Sequence, residues 1–97
     1  MIKILPKISY IIITYNSQET IERYIAGIVN ESYPKKEIII LDNNSQDETI
    51  KIVDNIKKVD KLIKLNKNIG FGKGCNKAVK ASSGEFLFFV NPDVFFI

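Results

Sequence analysis

Four short apolar runs return along the chain with longer amphipathic stretches between them: ISYIIIT (8–14), EIIILD (37–42), KLIKL (61–65) and EFLFFVN (85–91). Three of them are rich in Ile, Val or Phe with little alternation, as expected of parallel strands buried on both faces. KLIKL alternates, which marks it as the edge of a sheet. Between the first two runs, Ile21, Tyr24, Ile25, Ile28 and Val29 fall at helical spacing on one face, predicting a helix that ends near Asn30, before Pro34. The second connection begins SQDE, a capping box in which the Ser45 hydroxyl accepts from the Glu48 amide and the Glu48 carboxylate reaches back. Ile50, Ile52, Val53 and Ile56 then form its buried stripe. The third connection, NIGFGKGCNKAVKASSG, starts glycine-rich and is expected to turn helical around Cys75 to Ala81, with Gly84 closing it.

Strand and helix therefore alternate throughout, which implies an α/β fold: a Rossmann-like parallel sheet with right-handed crossovers, flanked by helices. The expected spatial order is 3-2-1-4. The chain winds outward from the first strand to the third, then returns to lay the fourth beside the first. Ligands in such sheets bind outside the carboxyl ends of the strands where the winding reverses. That places a candidate site where TYN (14–16) meets NPD (91–93), with DNNS (42–45) alongside.

Composition excludes several other classes. The 97 residues carry 45% hydrophobic content, enough for one globular domain, and a net charge of only +3. The lysines are scattered and not gathered in a run, which speaks against a dedicated nucleic-acid surface. A single cysteine and no histidine exclude an internal disulfide and a His/Cys zinc site, so a reducing, cytoplasmic compartment is expected. No segment reads as a signal peptide and no apolar run nears the ~20 residues that span a bilayer, while peripheral contact with the inner face of the membrane stays open.

Asp93, following a buried strand at the reversal, suits a hard cation such as Mg²⁺ or Mn²⁺ bridging to substrate phosphates, with an ordinary Asn-Pro-Asp turn as the alternative. Asp42 ends the second strand, where a carboxylate can accept hydrogen bonds from a ribose or a base, or can serve as a turn residue. Asp47 reads as a first-turn acid favoured by the helix dipole. GFGKG (70–74) is neither a dinucleotide fingerprint, which belongs after the first strand, nor a P-loop, because Gly74 follows Lys73. It reads as a loop at a helix N-terminus that lets the chain turn or lets a ligand approach. Tyr15 can stack on a base or pack, and Cys75 reads as core.

In sequence order, ISYIIITYN, EIIILDNNSQDET, NKNIGFGKGCNKAV and GEFLFFVNPDV resemble the nucleotide-binding half of family 2 glycosyltransferases, which have the GT-A fold. The glycine segment with NPDV is most similar to the rhamnosyltransferase-like branch. The resemblance implies that Thr14, Tyr15 and Asn16 line a nucleotide pocket, that Asp42 contacts the base, and that Asn44 and Ser45 shape the adjacent loop. Asn68 and the segment 70–76, including Gly70, Gly72 and Asn76, would border the ribose and donor side. NPD stands in the place of the family's D-x-D motif, with Asp93 as the divalent-metal ligand and Asn91 in the first position, where the family has aspartate.

The implied chemistry is inverting transfer of a sugar from a nucleoside diphosphate, UDP- or dTDP-linked, to a hydroxyl of a glycan or lipid-linked acceptor. The catalytic base would belong to an acceptor-binding half that follows the D-x-D region, so residues 1–97 would be the donor-binding part of a truncated enzyme. Its apolar end, VFFI, and any uncovered sheet edge then favour self-association. The competing class is a complete, non-catalytic α/β binding module. A nicotinamide oxidoreductase fits less well, because the loop after the first strand lacks glycine.

Overall fold

The computed structural model describes residues 5–92 of the chain. Strands β1 (Ile8–Thr14), β2 (Lys36–Asp42), β3 (Lys61–Lys64) and β4 (Phe86–Val90) alternate with helices α1 (Ile21–Asn30), α2 (Thr49–Asp54) and α3 (Phe71–Val79). All strand pairs are parallel and the order is β3-β2-β1-β4, as the sequence predicts. β1 and β2 run in register from Ile8 opposite Lys36 to Thr14 opposite Asp42, so the last two residues stand level at the carboxyl end of the sheet.

Alternation along β1 and β2 divides the core into two layers. Ile11, Ile13, Ile39 and Leu41 pack against Cys75 and Ala78 of α3. On the other face Ile12, Ile38 and Ile40 pack against Ile21 and Ile25 of α1 and Val53 of α2. Each enclosed isoleucine or leucine contributes about 1.5–3 kcal/mol of burial, which is why two short central strands can hold three helices. β3 is the expected edge, with Lys61 and Lys64 exposed.

β4 departs from the expectation of burial on both faces. Phe86, Leu87, Phe88 and Phe89 are all exposed, Phe86 by 60%. The strand order explains this, because β4 lies beyond β1 while the helices pack over the central strands. Tyr10 covers part of one face, its ring tilted 50° against Phe88 with centroids 5.5 Å apart.

Three local expectations are corrected. Glu48 occupies the N-cap of α2 but makes no side-chain cap bond, and the Ser45 hydroxyl is engaged elsewhere, so the capping box does not form. Asp47 takes over the turn by accepting from the Thr49 amide at 2.9 Å and the Thr49 hydroxyl at 2.6 Å. Helix α3 starts at Phe71, so Gly72 and Gly74 lie inside its first turn and not in a loop ahead of it. The turn is made by Gly70, whose φ of 86° suits glycine. Gly84 does not end α3. It lies against β1, where its amide donates to Ser9 Oγ at 2.8 Å.

A Cβ on Gly84 would meet the Ser9 hydroxyl and stand 2.7 Å from the Ser9 backbone nitrogen. The backbone neighbour cannot swing aside, so Gly84→Ala is expected to cost about 1–3 kcal/mol. Thermal unfolding should show a Tm several degrees lower, and an unchanged Tm would mean that the two segments separate freely.

Candidate functional site

Thr14 and Asp42 are both fully buried at the carboxyl ends of their strands, and the Thr14 hydroxyl donates to Asp42 Oδ1 at 2.6 Å. Ser45 donates to the same oxygen through its hydroxyl at 2.5 Å and to Oδ2 through its amide at 2.7 Å. Three donors thus surround a carboxylate with no water contact, as a buried charge requires. In this arrangement Asp42 holds the loop after β2; Oδ1 already accepts two bonds, so a base would meet Oδ2, and only where the loop opens to expose the fully buried side chain.

The loops after β1 and β2 are laced together. The Ser45 hydroxyl accepts from the Asn16 amide at 2.8 Å, and Asn16 Oδ1 accepts from the Gln46 amide at 2.8 Å. Below them the Ser17 amide donates to Thr49 Oγ1 at 2.8 Å, the Gln18 amide to Asp47 Oδ2 at 3.2 Å, and the Glu48 amide to Gln18 Oε1 at 3.0 Å. Asn16 and Asn44 both take left-handed backbone conformations, φ 49° and 66°, which asparagine tolerates better than most residues. Burial alone would raise the Asp47 carboxyl, but the bonds from the Thr49 hydroxyl and amide and the Gln18 amide outweigh it and hold the group below its usual range.

Tyr15 lies in this laced pair of loops and is 41% exposed. Asn68 is exposed and its side-chain oxygen accepts from the Gly70 amide at 2.8 Å, which shapes the turn into α3. Gly72 sits in the first turn of α3 with nothing within 4 Å of a Cβ placed on it. Asn76, in the second turn, is exposed and shares no hydrogen bond with the strand-end loops among the described residues. The structure therefore gathers Thr14, Tyr15, Asn16, Asp42, Asn44 and Ser45 in one place and the segment 68–72 at its side.

Asn91, half-buried after β4, lines a different space. This is an apolar cavity of about 870 Å³ walled by Tyr10, Tyr24, Phe71 and Phe88. Of the residues expected at the donor site, Asn91 and, from the segment 70–76, Phe71 line it. The strand-end crevice is the better candidate site, because it carries the polar groups and lies at the reversal.

Asn43 lies in the DNNS segment expected beside the site but has no role of its own in the sequence reading, yet it is 2% exposed and central. Its backbone amide donates to the Thr14 carbonyl at 2.8 Å, while its side-chain oxygen accepts from the Ile69 amide and its side-chain nitrogen donates to the Gly70 carbonyl, both at 3.1 Å. The signal was present in the alternation of β2: Asn43 continues the row of Ile39 and Leu41, which faces α3.

Asp93, the expected metal ligand, lies outside the described residues, as does the VFFI segment. Among the described residues there is no group of three or more His, Cys, Asp or Glu side chains that could hold a metal ion. Asp42 is the one strand-end carboxylate of the crevice in this region, and its oxygens are taken by three donors. The described residues thus do not by themselves make a cation site. Nor, among them, is any helix long and apolar enough to cross a membrane.

A parallel sheet that reverses between β1 and β4, with polar loops laced across the carboxyl ends of β1 and β2, defines an α/β protein of the class whose members bind ligands outside the carboxyl ends of the strands. The chain belongs to glycosyl transferase family 2, whose family profile matches residues 9–97. It is 40% identical over 93 residues to the GalNAc(5)-diNAcBac-PP-undecaprenol beta-1,3-glucosyltransferase of Campylobacter jejuni, covering 92% of this chain and 30% of that one. It is 36% identical to the poly(ribitol-phosphate) beta-N-acetylglucosaminyltransferase TarS of Staphylococcus aureus, covering 90% of this chain and 16% of that one.

The architecture is that of the GT-A fold. The crystal structure of S. aureus TarS in complex with UDP-GlcNAc matches with a TM-score of 0.83 at 34% identity, over 90% of this chain and 26% of that one. The mannosyltransferase PcManGT from Pyrobaculum calidifontis, in complex with GDP-Man and Mn²⁺, matches with a TM-score of 0.83 at 25% identity, over 91% and 28%. The chain spans less than a third of the length of each of these relatives.

Proposed function

We propose that the chain is the donor-binding part of an inverting glycosyltransferase that moves a sugar from a nucleoside diphosphate to the hydroxyl of a glycan or lipid-linked acceptor. The observation that carries this reading is the laced pair of loops around Asp42 at the sheet's reversal, in a chain of glycosyl transferase family 2. Tyr15 offers a face for the base, and Asn16, Asn44 and Asn68 border the nucleotide. Gly70 and Gly72 leave room beside it and Asn76 flanks the donor side, while Asn91, at the carboxyl end of β4, faces the neighbouring cavity. UDP- or dTDP-linked sugars are the proposed donors, in keeping with the UDP-GlcNAc held by TarS. The general base would come from the acceptor-binding half. Synthesis on the cytoplasmic side, at the inner face of the membrane when the acceptor is a lipid, fits this chemistry.

A divalent cation, Mg²⁺ or Mn²⁺, is proposed to offset the charge that grows on the departing diphosphate, with Asp93 as its ligand. Mn²⁺ accompanies GDP-Man in PcManGT, which supports the choice of ion. Thermal unfolding against UDP, dTDP, GDP and ADP, each with Mn²⁺ and then with chelator, tests both parts. A nucleotide at ~100 times its dissociation constant should add about 2.7 kcal/mol of stability. Asp93→Ala should abolish the Mn²⁺-dependent portion of that gain and leave the unliganded Tm unchanged. No shift with any of the nucleotides would overturn the donor-binding reading, and a chelator-insensitive shift would overturn the metal.

A further inference from the structure

We infer that Asn43 is a positioning residue for the nucleotide, fixing the width of the strand-end crevice by clamping the turn before α3 to the ends of β1 and β2; the inference rests on the donor-binding reading above. The crevice has three walls that come from distant parts of the chain. Asn43 belongs to one of them and is bonded to the other two. Its backbone amide donates to the Thr14 carbonyl at 2.8 Å, extending the pairing of β1 with β2 one residue past the strands. Its side-chain oxygen accepts from the Ile69 amide at 3.1 Å and its side-chain nitrogen donates to the Gly70 carbonyl at 3.1 Å.

A side-chain amide has a separate acceptor and donor atom, so it can answer the Ile69 amide and the Gly70 carbonyl of one turn at once. The match also determines which way the Gly70 peptide faces. Gly70 has φ 86°, so its carbonyl is held in a conformation that the neighbouring sequence does not enforce. That carbonyl also accepts the Gly74 amide at 3.1 Å, the first bond of the helix. Asn43 therefore sets the direction in which α3 leaves the turn.

Gly74 completes the fit from the helix side. A Cβ there would stand 3.3 Å from Leu41 Cδ2 and 3.5 Å from Asn43 Nδ2, so the helix lies as close to β2 as a glycine permits. Loss of the clamp lets the turn 68–70 and the head of α3 drift from the loop of Tyr15 and Asn16. The groups proposed to border the nucleotide then lose their spacing, although none of them has changed.

Calorimetric titration of UDP, dTDP, GDP and ADP with Mn²⁺ into the chain and into Asn43→Ala, Asn43→Asp and Gly84→Ala provides the test. Asn43→Asp keeps the side chain's volume and the acceptor for Ile69 but turns an oxygen toward the Gly70 carbonyl, so it removes half the clamp without leaving a cavity. Both Asn43 variants are expected to bind the preferred nucleotide roughly tenfold or more weakly, as the loss of a buried hydrogen bond implies. Gly84→Ala, destabilised at the opposite end of the sheet, should keep the parent's affinity, a split that a merely structural role for Asn43 would not produce. Where Asn43→Ala does not fold, Asn43→Asp decides. Parent-like affinity in the Asn43 variants overturns this inference alone, as does an equal loss in Gly84→Ala. A parent chain that binds no nucleotide overturns it together with the donor-binding reading.

Discussion

Glu37→Ala is expected to lower the stability of the folded chain by about 3 kcal/mol at neutral pH, without touching the candidate site. Glu37 opens β2 at the amino end of the sheet and is 5% exposed. Its carboxylate accepts from the Ser9 hydroxyl at 2.9 Å, from the Ser83 amide at 3.0 Å and from the Ser83 hydroxyl at 2.9 Å. The Lys7 ammonium lies 3.3 Å away and that of Lys61 3.8 Å away. Four segments, β1, β2, β3 and the connection from α3 to β4, are thereby tied to one charge. Burial alone would raise its pKa, but the Ser83 and Ser9 bonds and Lys7 outweigh that and bring it from 4.5 to about 2.

The sign follows from linkage. A carboxyl whose folded pKa is depressed contributes stability that is fully present above its unfolded value and is lost as pH falls through the folded one. The contribution should therefore be complete above about pH 5 and disappear between there and about pH 2, amounting to about 3 kcal/mol for a shift of this size. Denaturant unfolding at several pH values should show a steep acid limb in the parent that is shallower in Glu37→Gln. Identical acid limbs, or a loss below 1 kcal/mol at pH 7, would show that the cluster does not hold the sheet together.

That cluster also marks where the sequence stops being legible. Strands and order were readable because hydrophobic runs of the right length report directly on burial, and because handed crossovers leave few topologies for a βα alternation. What failed depended on partners distant in sequence. Ser83 and Glu37 are 46 residues apart, and nothing in EIIILD announces that its first residue is buried in a hydrogen-bonded nest. Ser45 looked like a cap because its spacing to Glu48 is local, but Asn16, 29 residues earlier, and Asp42 claim its hydroxyl. The glycines of the segment 70–74 looked like loop because their propensity opposes a helix, whereas packing against Leu41 and Ile13 favours Gly74 inside one. Thr14, Asn16 and Asp42 lie together at the carboxyl ends of β1 and β2, a placement that follows from the strand order alone. Asn43 was passed over because its role lies in a third segment, the turn at Gly70.

Asp42→Ala is expected to cost about 3 kcal/mol and to weaken nucleotide binding with or without metal, and Asp42→Asn separates the two effects. Removing the carboxylate strands the buried Thr14 hydroxyl and the Ser45 amide, each of which loses its acceptor where water does not reach Asp42. With asparagine, the side-chain oxygen can stay at the Oδ2 position and accept from the Ser45 amide, while the nitrogen replaces Oδ1. The Thr14 and Ser45 hydroxyls then have to turn round and accept, which hydroxyl rotors can do. The loop should therefore survive in Asp42→Asn at a cost nearer 1 kcal/mol, with the negative charge removed and one of the two acceptor oxygens exchanged for a donor. If Asp42 meets the base, Asp42→Asn loses most of the affinity although the fold is intact. If Asp42 only holds the loop, Asp42→Asn binds like the parent while Asp42→Ala does not. Thermal unfolding and nucleotide titration on the same two variants read both quantities. Parent-like stability in Asp42→Ala would contradict the bonding seen around the carboxylate, and parent-like affinity in both variants would remove Asp42 from the binding site.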